Sequence, residues 1–301
     1  MSTLIEARGL SKHYGKSTAL AGVDFRIEEG RIVGLIGPNG AGKTTALKAI
    51  LGLASYDGDL NVLGLNPYRE RHRLMQEVCF IADVAVLPRW LRVNQAVDFV
   101  AGVHPRFNRQ RAEAFLAKTD IKPRSRVREL SKGMVTQLHL ALIMAIDAKL
   151  LILDEPTLGL DIIYRKQFYD TLLNDYFDGN RTILVTTHQV EEIEQVLTDV
   201  MFINHGRIAL DCSMDDIAQR FVELFANAAH AEAAGKLNPI STRQVFGRSV
   251  MLFENVERER LAAFGELRTP SIADIFVAKL SPAHATNQTL NHGTLNQGVA
   301  A

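Results

Sequence analysis

Gly37-Pro38-Asn39-Gly40-Ala41-Gly42-Lys43-Thr44 follows the apolar run Ile32-Val33-Gly34-Leu35-Ile36 and opens the periodic stretch Thr44–Leu51, which Gly52 closes. The run reads as a short buried strand and the stretch as a helix, so the octapeptide is a strand-to-helix loop. Its spacing satisfies the full G-x-x-x-x-G-K-[ST] pattern. Glycines are required because side chains would keep successive backbone N–H groups from wrapping a phosphate. The helix that follows aims the positive end of its dipole at the same anion. Lys43 supplies a mobile point charge for the β- and γ-phosphates, Thr44 a hydroxyl for Mg²⁺, and Thr45 a group within reach of the α-phosphate. The loop therefore implies a nucleoside triphosphate.

Working outward, the N-terminal side of the loop reads as strands: Val23-Asp24-Phe25-Arg26-Ile27 alternates apolar and polar, and Glu29-Gly30 is a turn. Beyond it, residues 91–146 read as helix-rich. From Leu150 the pattern is strand (Leu150–Leu153), helix (Asp161–Asn174), strand (Thr182–Thr186), helix (Val190–Leu197) and strand (Val200–Asn204), with a tight turn at His205-Gly206. Strands alternating with helices predict an α/β fold: a core of mainly parallel sheet, an antiparallel N-terminal part and a helical subdomain at 84–147. The ATP-binding domain is assigned to 1–213 and a small α+β domain to 214–280. In that second domain helices are expected at Asp215–His230, Asn255–Phe264 and Ser271–Leu280, with strands at Val245-Phe246 and Val250–Phe253. Residues 281–301, rich in Asn, Thr, Gly and Ala, are expected to form a disordered tail.

Composition narrows the function. Thirty-four basic and 34 acidic residues cancel, which argues against broad binding to nucleic acid. Cys79 and Cys212 form no paired-cysteine metal motif and fit a reducing cytosol. No apolar run approaches the roughly 20 residues needed to cross a bilayer, and the start lacks the pattern of a secretory signal. A membrane role would thus come through a partner.

A second constellation is Leu150-Leu151-Ile152-Leu153-Asp154-Glu155. Four apolar residues fit a strand buried on both faces, and the carboxylates at its end lie where α/β sheets hold ligands. Asp154 suits Mg²⁺; Glu155 suits the general base that polarises the attacking water. A third is Leu130-Ser131-Lys132-Gly133-Met134, where Ser131 caps the helix that follows and Gly133 lets its first turn approach an anion.

The loop, Leu-Ser-x-Gly-x, the apolar-Asp-Glu strand about twenty residues later, Gly159-Leu160-Asp161, and His188 after the next strand form an ordered set. In that order it resembles the nucleotide-binding subunits of ABC transporters, over about residues 3–215. The resemblance implies that Ser131 and Gly133 contact the γ-phosphate held by a second ATP-binding subunit, with a homodimer expected. It also implies that Asp161 lies between the two sites, that His188 reaches the γ-phosphate and positions the water, and that Tyr14 stacks on adenine. ATP and Mg²⁺ are the implied ligands, hydrolysis of ATP the implied reaction.

Two departures stand out. Aspartate Asp83 follows the strand Val78-Cys79-Phe80-Ile81 where this family usually has glutamine; a carboxylate can still ligate Mg²⁺ but adds negative charge beside a triphosphate. Met134 replaces the usual glutamine and cannot hydrogen-bond. The Leu-Ser-Lys-Gly-Met variant and Thr269-Pro270-Ser271-Ile272-Ala273-Asp274-Ile275-Phe276 resemble the exporter branch that pairs with separate ABC-2-type permeases. This implies a cytoplasmic protein held peripherally on the membrane, with a permease helix docking near Asp83–Leu91, including Trp90. An importer subunit, an ATP-binding regulatory module and a non-transport ATPase remain as alternatives.

Overall fold

The computed structural model describes residues 2–81, 87–158 and 162–280. Asp83, Asp161 and the expected tail lie outside them. The chain divides into two compact units, with the boundary along the sequence between Ile208 and Ala209.

The first unit begins with β1 (Thr3–Tyr14) and β2 (Ser17–Glu28), an antiparallel hairpin whose register runs from Thr3↔Glu28 to Tyr14↔Ser17. Val23, Phe25 and Ile27 alternate along β2, whereas β1 is broken by register shifts; Leu4, Leu10 and Leu20 join those three in one buried cluster. β3 (Ile32–Ile36) is buried at all five positions and leads through the glycine loop into α1 (Lys43–Ile50). β4 (Asp57–Val62) then pairs with β1 and completes a three-stranded sheet of order β2-β1-β4. The single turn α2 (Arg71–Leu74) precedes β5 (Val78–Ile81).

Next come α3 (Val93–Val103), α4 (Arg109–Leu116) and α5 (Lys132–Met144). They close over their own core, which includes Val93, Val97, Ala112, Leu116, Leu138 and Leu142. Met134 is half-buried against that core. A thioether there fills apolar space, which accounts for a residue unable to hydrogen-bond at this position.

β6 (Leu150–Asp154), α6 (Ile162–Thr171), β7 (Thr182–Thr187), β8 (Asp199–Asn204) and β9 (Arg207–Ser213) complete a six-stranded sheet of order β5-β6-β7-β3-β8-β9. The pairings β5/β6, β6/β7, β7/β3 and β3/β8 are parallel. Strands buried on both faces explain why β6 and β7 read as continuous apolar runs rather than as alternations. The register sets Asp154 opposite Thr186, and Thr186 opposite Leu35, so three carboxyl ends lie side by side under the glycine loop. This is the α/β architecture that the sequence predicts, with one local correction. The expected helix at Val190–Leu197 is two 3₁₀ turns, Val190–Glu192 and Glu194–Val196. Leu197 then packs into the space left by Gly34, where a β-carbon would sit 2.7 Å from its side chain.

The second unit contains α7 (Met214–Arg220), β10 (Phe221–Ala226), α8 (Ala231–Gly235), β11 (Ser241–Val245), β12 (Arg248–Glu254), α9 (Arg258–Ala262), β13 (Gly265–Arg268) and α10 (Ile272–Leu280). From β10 to β13 the connectivity is βαββαβ and the antiparallel sheet order is β11-β12-β10-β13, the ferredoxin-like arrangement. The helix expected over Asp215–His230 is corrected: it ends at Arg220, and Phe221–Ala226 is a central strand. Val222, Leu224 and Ala226 face the core shared with Ala234 and Leu261, while Glu223 pairs with Arg243 on β11, at 2.7 Å. Burial of both faces erases the two-residue period that would have announced a strand. Phe246, expected in a strand, stands instead in the tight turn between β11 and β12 with φ of 47°.

Candidate functional site

The loop after β3 and the end of β6 border a cavity of about 230 Å³, lined by residues 38–45 with Ala19, Asp154 and Glu155. The helix behind it starts without a side-chain cap and without an acid in its first turn. Its first N–H groups and its positive dipole end thus face the cavity uncompensated by protein side chains. Gly42 makes this possible: its φ is 115°, and a β-carbon there would stand 2.6 Å from the Ala19 carbonyl oxygen. An α1 start this close to β2 admits only glycine.

Lys43 is 6% exposed, and its Nζ donates to the carbonyls of Gly37 at 2.7 Å and Pro38 at 3.4 Å. Glu155 Oε1 lies 3.3 Å from the same ammonium. Thr44 Oγ1 donates to Asp154 Oδ2 at 3.2 Å, and Thr186 Oγ1 donates to Asp154 Oδ1 at 2.5 Å. Each carboxylate oxygen of buried Asp154 is therefore satisfied, which fixes its plane. Glu155 has a φ of 48°, and its N–H donates to the backbone oxygen and the hydroxyl of Thr186 at 3.1 and 3.2 Å. A left-handed backbone at a non-glycine residue costs on the order of 1–3 kcal/mol. What it achieves is orientation: Glu155 Oε2 meets His188 Nδ1 at 2.8 Å while Oε1 meets Lys43.

A second helix start is built differently. Ser131 caps α5, its Oγ accepting from Met134 N at 3.2 Å, and Lys132 is exposed. Gly133 is buried, and the space its side chain would fill is taken by the ring of Tyr164 on α6, with atoms 2.0–2.5 Å from an added β-carbon. Neither Ser131 nor Gly133 lines the cavity of its own chain. Tyr14, at the end of β1, also stands outside it; the residue is 49% exposed, with Lys12 Nζ 5.1 Å from its ring centre. Pro38, Asn39, Gly40, Ala41 and Thr45 all line the cavity, and Gly37 carries the carbonyl that holds Lys43.

Several residues that sequence reasoning passed over complete this region. Thr186 was hidden inside an apolar strand, where a fully buried hydroxyl at the carboxyl end was the available signal. Thr157 Oγ1 lies 3.4 Å from Tyr169 OH and donates to Glu192 at 3.2 Å. Burial raises the Tyr169 phenol well above its ordinary value, so it remains a neutral partner. Arg165 donates to Gln189 Oε1 at 3.1 Å and pairs with Glu192.

The residues fit a triphosphate with a divalent cation. The cavity offers a helix start, a buried ammonium and an oxygen-only pair, the Thr44 hydroxyl and the Asp154 carboxylate, suited to a hard cation.

Comparison with known proteins agrees. Residues 20–158 match the profile of the ABC transporter family. A daunorubicin resistance ATP-binding protein of Streptomyces coeruleorubidus is 32% identical over 71% of this chain and 70% of its own. A Nod factor export ATP-binding protein I of Rhizobium etli is 30% identical over 91% of this chain and 92% of its own. Among solved structures, an ATP-binding subunit of an ABC transporter superposes with a TM-score of 0.64 at 26% identity, over 72% of this chain and 92% of its own. Among the described residues no helix is long and apolar enough to cross a membrane. This chain therefore belongs to the ABC transporter family as an ATP-binding, ATPase-type subunit.

Proposed function

We propose that two copies of this chain close head to tail over two ATP molecules, and that hydrolysis drives export through a separate ABC-2-type permease at the cytoplasmic face of the membrane. The observation that carries the reading is the placement of Glu155 between Lys43 and His188, at 3.3 and 2.8 Å. A carboxylate pinned by a strained backbone and flanked by a cation and an imidazole is positioned to take a proton from water attacking a phosphoryl group. Lys43 stabilises the charge that develops on the phosphate oxygens, and His188 orients the water and the γ-phosphate. Thr44 and Asp154 would hold Mg²⁺, which would supply charge neutralisation to the triphosphate. Tyr14 offers an exposed ring to adenine. Ser131 and Gly133 serve the site of the opposite copy, which agrees with their position outside the cavity of their own chain.

The export direction is supported by the relatives named for Nod factor export and daunorubicin resistance. The surface around Trp90, a residue 68% exposed, is the place proposed for the permease. Glu155→Gln removes the base yet keeps the side-chain shape. Its steady-state ATPase should fall at least ~100-fold while ATP brings the subunit to dimer mass in size-exclusion chromatography. Near-normal turnover in that variant refutes the role of Glu155. Failure of the tagged protein to retain a polytopic membrane protein from detergent-solubilised membranes refutes the permease.

A further inference from the structure

The first turns of α6 carry two consecutive residues with separate partners. Tyr164 lays its ring on Gly133, so closely that an added β-carbon would stand 2.0, 2.2 and 2.5 Å from ring atoms. Contacts this short are not accommodated by a small adjustment, because the ring is rigid and half-buried. Arg165 reaches the other way, to Gln189 Oε1 at 3.1 Å and to Glu192. Gln189 directly follows His188, whose Nδ1 meets Glu155 Oε2, and Glu192 is held from a third side by Thr157. A chain of contacts thus runs from Glu155 through the His188 segment and the start of α6 to the end of α5 that bears Ser131 and Gly133.

We infer that Tyr164 and Arg165 are positioning residues that hold the Ser131–Gly133 end of α5 in register with the His188–Glu155 pair of the same chain. Under the head-to-tail reading, on which this inference rests, those two ends serve different ATP molecules. Their rigid connection makes the occupancy of one site felt at the half-site offered to the partner. It also gives Gly133 a second reason to be glycine. Besides admitting an anion, the position must admit Tyr164. Coupling of this kind needs only a packed element contacted by both sites.

A size-swap series tests it, run in the full chain and scored both as wild-type ATPase and as ATP-dependent dimerisation in the Glu155→Gln background. Gly133→Ala should weaken dimerisation about 100-fold, because the methyl displaces Tyr164. Tyr164→Ala should weaken it only about 10-fold, and the double variant should match Tyr164→Ala, recovering about 10-fold over Gly133→Ala. Tyr164→Ala and Arg165→Ala should each leave nucleotide affinity of the isolated subunit within about twofold while lowering the Hill coefficient of ATPase activity to about 1. A double variant no better than Gly133→Ala shows that the glycine serves the anion alone and overturns the inference. Rescue with an unchanged Hill coefficient overturns the coupling. If Tyr164→Ala does not fold, as judged by circular dichroism, Tyr164→Leu takes its place in the series. If Glu155→Gln alone never dimerises with ATP, the head-to-tail reading itself has failed, an outcome distinct from loss of rescue.

Discussion

Two helices of the first unit carry a glycine at or within their first turn, Gly42 before α1 and Gly133 in α5, and their beginnings are opposites. The start of α1 has no side-chain cap and opens on a cavity; its glycine at 42 lets the backbone approach β2. The start of α5 is capped by Ser131, and its glycine at 133 is covered by an aromatic ring from the same chain. Both look alike in the sequence as glycines placed to admit an anion. One leaves its N–H groups to a ligand. The other is already packed, and so it presents a rigid edge to whatever approaches from outside the chain. At both glycines a protein neighbour takes the space of the missing side chain, the Ala19 carbonyl at 42 and the Tyr164 ring at 133. The glycine reports that close approach, and only the structure tells whether the helix start beside it is left open to a ligand.

The lysines at these two starts offer the largest contrast. Lys43 is buried among carbonyls and Glu155, whereas Lys132 is exposed. Lys43→Ala should lower steady-state ATP turnover by about 10²–10³, the usual scale for losing one preorganised group at a developing charge. Lys132→Ala should stay within about threefold of wild type, as befits a solvated surface charge. Similar losses in both variants would erase the distinction between an open start and a packed one.

A second contrast sets charge against its absence. Lys43 keeps oxygen partners in the interior, but His139, in the body of α5, has its Nε2 shut away from water with no hydrogen-bond partner. Burial lowers its pKa from 6.5 to about 4. The folded form therefore binds fewer protons than the unfolded chain between these values. Stability is intact above pH 6.5 and is lost as pH falls toward 4, by up to about 3 kcal/mol. Denaturant titrations of wild type and His139→Leu at pH 7 and pH 4 measure this, with the variant expected to lose less on acidification. Equal losses would mean that the imidazole finds a proton acceptor or water in the folded state.

Much of this was legible before any coordinates. The glycine loop, the apolar strand ending in Asp154-Glu155 and the α/β alternation are local patterns in which residue type and spacing carry the physics. The central strand β10 was not legible, because Phe221, Val222, Leu224 and Ala226 are all buried and Glu223 alone interrupts them with a polar side chain, and a short, mostly apolar run looks like a helix segment. Tyr164 and Thr186 were invisible for another reason. Their partners, Gly133 and Asp154, lie about 30 residues away along the chain, and only the packing of α5 on α6 and the register of β6 with β7 bring them together.

The smallest effect concerns the cap that distinguishes the two starts. Ser131 Oγ accepts from Met134 N at 3.2 Å, whereas Gly42 offers α1 no such acceptor. Ser131→Ala removes that acceptor and should cost about 1 kcal/mol. For a unit of this size the loss corresponds to a fall of roughly 2–4 °C in thermal midpoint. Ser131→Thr, which restores a hydroxyl, should recover most of it. The hydroxyl is also the group proposed to face the partner's γ-phosphate, so calorimetry on the nucleotide-free subunit isolates the capping contribution from the one made across a dimer. An unchanged midpoint in Ser131→Ala would mean that the N–H groups at the start of α5 are satisfied without the serine. In that case Ser131 contributes nothing to the folded subunit and is kept for the anion alone.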